Sequence, residues 1–125
     1  MPETADLDPE DAKIVTLARS ALAHTGAHEG AAVRDTDGRA YTGVTVALPS
    51  LALTALQAAV AAAVASGATG LEAAAVVFGS ESGSVSGSVD AASLAAVREL
   101  GPAAPVLLAD QRGNVRDVLR VVGQP

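Results

Sequence analysis

The chain has 125 residues, 50% of them hydrophobic, only 2% aromatic and 18% charged, with a net charge of -6. This composition excludes a disordered chain, and the length suits one domain with a single core built from Ala, Val and Leu. The acidic balance, with no basic cluster and Lys13 the only lysine, argues against nucleic acid or anionic membranes as partners. Cysteine is absent, which removes disulfides, thiolate metal sites and cysteine nucleophiles together.

Residues 1–7 read as a flexible tail, and 8–125 as the folded domain. The acidic start, MPETADLDPED, lacks a basic n-region and an apolar h-region. No signal peptide is therefore expected, and a cytoplasmic location follows by default. Asp8 then reads as an N-cap with Pro9 at the first helical position, and Ile14, Leu17, Ala18, Ala21 and Leu22 follow at helical spacing. That helix is expected to end near Thr25-Gly26. Glu29 to Arg34 and Ala40 to Val46 flank the turn sequence Asp35-Thr36-Asp37-Gly38 and read as a β-hairpin.

From Ala40 to Leu71 the chain carries no formal charge. Within this run Pro49-Ser50 is expected to open a buried helix, with Ser50 as N-cap and Gly67 as the stop. Leu53, Leu56, Val60, Ala63 and Val64 would form one face and mostly alanines the other. Pro49, Ser50, Thr54, Gln57 and Ser66, together with the alanine content, make this a core helix rather than a membrane span. Ala73 to Phe78 is a continuous apolar run, as expected of a strand covered on both faces. Gly79 to Ser88 reads as a solvated Ser/Gly loop; it matches neither a phosphate-binding loop nor a nucleophile elbow. Asp90 can cap a third helix carrying Leu94, Val97, Arg98 and Leu100 and stopping at Gly101-Pro102. Val106 to Ala109 is a second buried strand, and Asp110 to Asn114 a turn. Val115, Val118, Leu119 and Val122 fit a helix or a strand equally. This order implies an α/β fold: a mixed sheet of about five strands with helices on both faces.

Within that order, Gly30-Ala31-Ala32-Val33, Asp37-Gly38 and Tyr41-Thr42-Gly43 resemble the first hairpin of the cytidine deaminase family, which reads G-A-A-L, D-G and Y-x-G. Thr54-Ala55-Leu56-Gln57, running to Ala65-Ser66-Gly67, is similar to the family's C-A-E-R helix and its A-V-S-x-G ending. Val89-Asp90-Ala91-Ala92-Ser93-Leu94-Ala95 and Glu99-Leu100-Gly101 fall where the family has P-C-G-x-C-R-Q and E-F-G. The resemblance runs from Lys13 to Val118, with a two-residue shortening before Thr54. It implies the three-layer cytidine deaminase-like fold. It also implies a zinc ion that activates water and a glutamate that moves protons. Its three metal-ligand positions fall on Thr54, Asp90 and Ser93, and its glutamate on Leu56. Its ribose-binding N-x-E pair falls on Thr45 and Ala47, and its base-stacking Phe on Ala27.

A hydroxyl, a carboxylate and a hydroxyl are poor zinc ligands, and a leucine moves no proton. The expectation is therefore a deaminase-like protein with no catalytic residue, no metal and no cofactor. It would act as a homo-oligomer, dimer or tetramer, or through an unidentified protein partner. Family members assemble through the metal-holding helices. A second expectation is a nucleoside-like small-molecule binder, or an enzyme with non-zinc chemistry, using a pocket remodelled around Thr45, Ala47, Thr54, Leu56, Asp90 and Ser93. A residual deaminase comes last. His24 and His28, with Glu29 as a third donor, are weighed as a metal site against two solvated histidines, and the latter is preferred. Asp35 and Asp37 read as turn-formers, and Glu72 and Glu99 as surface charges.

Overall fold

The structure, a computed structural model, describes residues 7–79 and 89–120. Helix α1 spans Pro9–Thr25, opened by the Asp8 carboxylate accepting from the Glu10 N–H at 2.7 Å and closed by Gly26 at φ 65°. Of the tail expected over residues 1–7, only Leu7 lies within the described residues, and it packs against the α1 side of the core. Strand β1 (Glu29–Asp35) pairs antiparallel with β2 (Ala40–Val44). The turn between them is held by Asp35, whose carboxylate accepts from the Asp37 and Arg39 N–H groups and from the Tyr41 hydroxyl. Asp35 is a turn-former, as its sequence context suggests. Burial alone would raise its carboxyl; the Arg39 N–H, the Tyr41 hydroxyl and the Asp37 N–H together hold it below the ordinary range.

The expected start of the second helix is wrong by four residues. Val46–Leu48 (β3) and Leu51–Leu53 (β4) form a separate two-stranded hairpin around Pro49-Ser50. Helix α2 then spans Ala55–Ala65, and its N-cap is Thr54 rather than Ser50. The Thr54 side chain accepts from the Gln57 N–H at 3.1 Å, and the Gln57 side chain accepts from the Thr54 N–H at 2.9 Å. This reciprocal box satisfies two donors that a helix start otherwise leaves open, an advantage Ser50 cannot match. Strand β2 also ends at Val44 instead of reaching Val46.

Strand β5 (Leu71–Phe78) pairs antiparallel with β1 and parallel with β6 (Val106–Ala109). Helix α3 (Ala91–Leu100), capped by Asp90, connects them. The ambiguous tail resolves as strand β7 (Val115–Leu119), antiparallel to β6. The sheet order is β2-β1-β5-β6-β7. Both sheet faces are covered, so strand residues alternate between two cores. Ala31, Val33, Ala74, Val76, Val106 and Leu108 pack under α2 and α3, while Ala32, Ala73, Ala75, Val77, Leu107 and Ala109 pack under α1. That double covering explains why β5 and β6 are continuous apolar runs rather than alternating ones.

An alanine-rich core lets helices lie close to the sheet, and two glycines carry this furthest. A Cβ on Gly43 would overlap the Ala59 backbone nitrogen and lie 2.7 Å from the Ala55 carbonyl oxygen of α2. A Cβ on Gly30 would overlap the Ala18 carbonyl oxygen of α1 on the opposite face. No helix among the described residues is long and apolar enough to cross a membrane. The uncharged run is not wholly buried, however. Val64, expected on the core face, is 54% exposed, whereas Leu56, Ala59, Val60 and Ala63 are buried.

Candidate functional site

The N-termini of α2 and α3 meet on the same side of the sheet. Thr54 and Asp90 cap the two helices, and Ser93 stands in the first turn of α3. The Thr54 and Ser93 hydroxyl oxygens are 2.6 Å apart, a strong hydrogen bond joining the two helix starts. The Ser93 N–H donates to the Asp90 carboxylate at 2.8 Å. That N–H and the Ser93 hydroxyl hold the Asp90 carboxyl below its usual range, with burial opposing weakly. Ser93 is 2% exposed, so its hydroxyl depends on these partners.

These residues line a cavity of about 90 Å³ with Glu29, Leu56, Val76 and Val89. Thr54, Leu56, Asp90 and Ser93, singled out from the sequence, are thus brought together. Thr45 and Ala47 are not among the lining residues. Thr45 is tied to the β1 backbone: its hydroxyl accepts from the Glu29 N–H at 3.1 Å, and its own N–H donates to the Glu29 carbonyl at 3.2 Å. Ala47 is exposed on β3.

Glu29 is the site residue that sequence reasoning placed elsewhere, as a third donor for His24 and His28. Its one legible signal is position: a carboxylate at the start of a largely buried strand sits at the sheet's end, here the end at which α2 and α3 begin. Burial pushes its carboxyl above the ordinary value, the negative charge of Asp90 adds to the rise, and His28 opposes it. His24 instead contacts the Ser20 carbonyl within α1. Among the described residues no group of three or more His, Cys, Asp or Glu is placed to hold a metal ion. Beyond Gly79, the Ser/Gly loop expected at 79–88 lies outside the described residues.

The raised Glu29 carboxyl has a consequence for stability. Glu29 is harder to ionise in the folded than in the unfolded chain. The fold therefore loses stability as pH rises from the ordinary glutamate value through the raised one. Glu29→Gln is expected to melt above the wild type at neutral pH, with the gap closing in acid where both forms are neutral. Thermal melts across pH check this; an unchanged or lower melting temperature at pH 7 would refute the desolvated carboxylate.

A mixed five-stranded sheet, with one helix on one face and two on the other, defines the cytidine deaminase-like class of α/β proteins. The family model described as cytidine deaminase-like matches residues 7–113, and the chain belongs to that family. Among solved structures, the chain is similar to cytidine deaminase from Burkholderia pseudomallei, with a TM-score of 0.71 and 26% identity over 87% of this chain and 91% of that one. Cytidine deaminase from Mycobacterium tuberculosis matches with a TM-score of 0.63 and 29% identity, over 79% of this chain and 85% of that one. Cytidine deaminase from Mycobacterium leprae shares the fold, with a TM-score of 0.68 and 22% identity, over 94% of this chain and all (100%) of that one. No curated protein sequence matches at a significant level.

Proposed function

We propose that this family member does not deaminate cytidine and acts instead through assembly, as an oligomeric scaffold or a partner-binding protein. One observation carries the reading: the side chains at the three ligand positions implied by the resemblance are spent on one another and on their own helices. The Thr54 hydroxyl caps α2 and bonds Ser93, while Asp90 caps α3. Zinc does not fit this donor set. Protein zinc sites are built on thiolate or imidazole nitrogen, with carboxylates as additional ligands, and the chain has no cysteine and brings no histidine to this cavity. At the glutamate position stands Leu56, 2% exposed and part of the core beneath α2. Glu29 does face the cavity, but from β1 rather than from the helix that carries the family's proton shuttle.

The cavity supports the same reading by its size. Sites for small molecules usually enclose about 300–1,000 Å³, against about 90 Å³ here. A nucleoside therefore has no ready-made place in this cavity, which sets the binder reading second.

The test joins three measurements on the purified chain. Elemental analysis is expected to find no stoichiometric zinc, and incubation with cytidine to yield no uridine. Stoichiometric zinc accompanied by uridine formation would overturn the reading. Sedimentation at micromolar concentration is expected to show an oligomer, and a monomer would remove the scaffold role.

A further inference from the structure

A second cavity lies between α1 and the turn that joins β6 to β7, and shares no lining residue with the Thr54–Asp90–Ser93 site. It encloses about 190 Å³, lined by Val15, Thr16 and Arg19 of α1 and by Arg112, Gly113 and Asn114 of the turn. At about 30 Å³ per molecule of liquid water, that volume suits a ligand of roughly six heavy atoms.

Two positive charges meet at this cavity in a chain whose net charge is -6. Arg19 is held in place: its Nε donates to the Gln111 carbonyl at 3.2 Å, and its Cδ and Nη1 each lie 3.6 Å from where a Cβ on Gly113 would stand. That anchoring uses only the Nε–H and leaves the two terminal nitrogens of the fork for a ligand. Asp110, the carboxylate of the turn, is already committed. Its Oδ1 accepts from the Arg112 and Asn114 N–H groups, and its Oδ2 from Arg116. Neither Arg19 nor Arg112 makes an ion pair among the described residues, and none of the carboxylates among them lines the cavity. The Thr16 hydroxyl donates to the Ala12 carbonyl at 3.1 Å, so the arginines are the donors to a ligand.

Guanidinium forks match oxyanions, and a planar carboxylate engages one fork at a time. Two guanidiniums brought to one cavity by separate elements call for oxygens on more than one side, which a tetrahedral anion has. The acidic remainder of the chain does not forbid such a ligand. At physiological salt, charges beyond about 8 Å are largely screened, so a single phosphate group chiefly meets the two arginines. A nucleic-acid strand would instead run across that acidic surface.

We infer that this cavity is a binding site for a small tetrahedral oxyanion, phosphate in free form or at the end of a monoester, held by the Arg19 and Arg112 guanidiniums. The inference goes beyond the proposed assembly and does not depend on it.

Titration with inorganic phosphate at constant ionic strength, followed through amide NMR shifts, tests it. Saturable shifts are expected at Arg19 and residues 112–114, with a dissociation constant of about 1 mM, as two charge-assisted contacts at an open site support. Arg112→Gln and Arg19→Gln should each weaken binding by about 10-fold or more, whereas Arg39→Gln, outside the cavity, should leave it unchanged. Arg112→Gln should melt at the wild-type temperature, because that residue is exposed. Acetate at the same ionic strength should give no saturation. Methyl phosphate separates the two sources: binding equal to that of phosphate marks a monoester end, and binding of phosphate alone marks the free ion. Shifts that stay linear in phosphate, that acetate reproduces, or that persist unweakened in Arg112→Gln would overturn the site.

Discussion

Gly43→Ala is expected to lower the melting temperature by about 10 °C or more. The added Cβ would overlap the Ala59 nitrogen and approach the Ala55 carbonyl oxygen to 2.7 Å. Both are backbone atoms of α2, so no side-chain rotation relieves the contact; the helix has to lift from the sheet. Overpacking typically costs about 1–3 kcal/mol when side chains can yield, and this site belongs at or above the top of that range. In a domain of this size each kcal/mol moves the midpoint by roughly 2–8 °C. Lifting α2 also opens the core formed by Leu56, Ala59, Val60 and Ala63 against β1 and β2, and shifts Thr54 away from Ser93. Thr42→Ala is the control. It stands one residue away on the same strand, but exposed, and should change stability by no more than about 0.5 kcal/mol. Thermal melts of the two variants decide the matter: Gly43→Ala melting like Thr42→Ala would mean that α2 does not rest on β2 as described.

Gly43 also illustrates which features can be read from residues alone. Its place in a Tyr-x-Gly pattern is visible, but the need for glycine comes from a helix that arrives a dozen residues later. The strands β1, β5 and β6 and the helices α1 and α3 are legible because caps, turns and apolar runs agree at each of them. The start of α2 is not. Pro49-Ser50 has the form of a helix opening, and Leu51-Ala52-Leu53 fits helix and strand alike. The deciding signal is the Thr54-x-x-Gln57 spacing, a capping box present in the sequence and outweighed by the more conspicuous proline. β7 was ambiguous for a related reason. Val115, Val118 and Leu119 suit either period, and pairing with β6 chooses between them.

The candidate site shows a different limit. Position by position, Thr54, Asp90, Ser93 and Leu56 can be found by resemblance, but their mutual bonding cannot, because it depends on how two helix N-termini approach in space. Glu29 escaped for the same reason: it is remote in sequence from all four. Absence of charge misleads in one further way. It marks residues that avoid isolation in water, without telling whether their own fold or a second copy provides the cover. Val64 and the β3–β4 hairpin are the residues where that difference matters.

The proposal that this site holds no zinc is tested most strongly by installing thiolates at the three positions. The triple variant Thr54→Cys/Asp90→Cys/Ser93→Cys is expected to retain about one zinc ion per chain through dialysis, where the wild type retains none. Two sulfurs bound to one tetrahedral zinc, at about 2.3 Å each, sit roughly 3.8 Å apart. The Thr54 and Ser93 oxygens are 2.6 Å apart, so the two helix starts need to part by only about 1 Å. Thiolate sites of this kind supply about 10 kcal/mol or more of apparent binding free energy, equivalent to a dissociation constant of tens of nanomolar or lower. Without metal the variant should melt below the wild type, because both N-caps are removed at about 0.5–2 kcal/mol each. Added zinc should recover that loss, since it binds the folded form. Deamination should still be undetectable, because Leu56 remains buried where the resemblance puts the proton-moving glutamate, and the cavity stays too small for a nucleoside. Zinc uptake without turnover would separate the two proposed deficits, of the metal and of the proton shuttle. A triple variant that binds no zinc would show that Thr54, Asp90 and Ser93 do not stand in ligand geometry. In that case the resemblance would hold for the fold and not for the site.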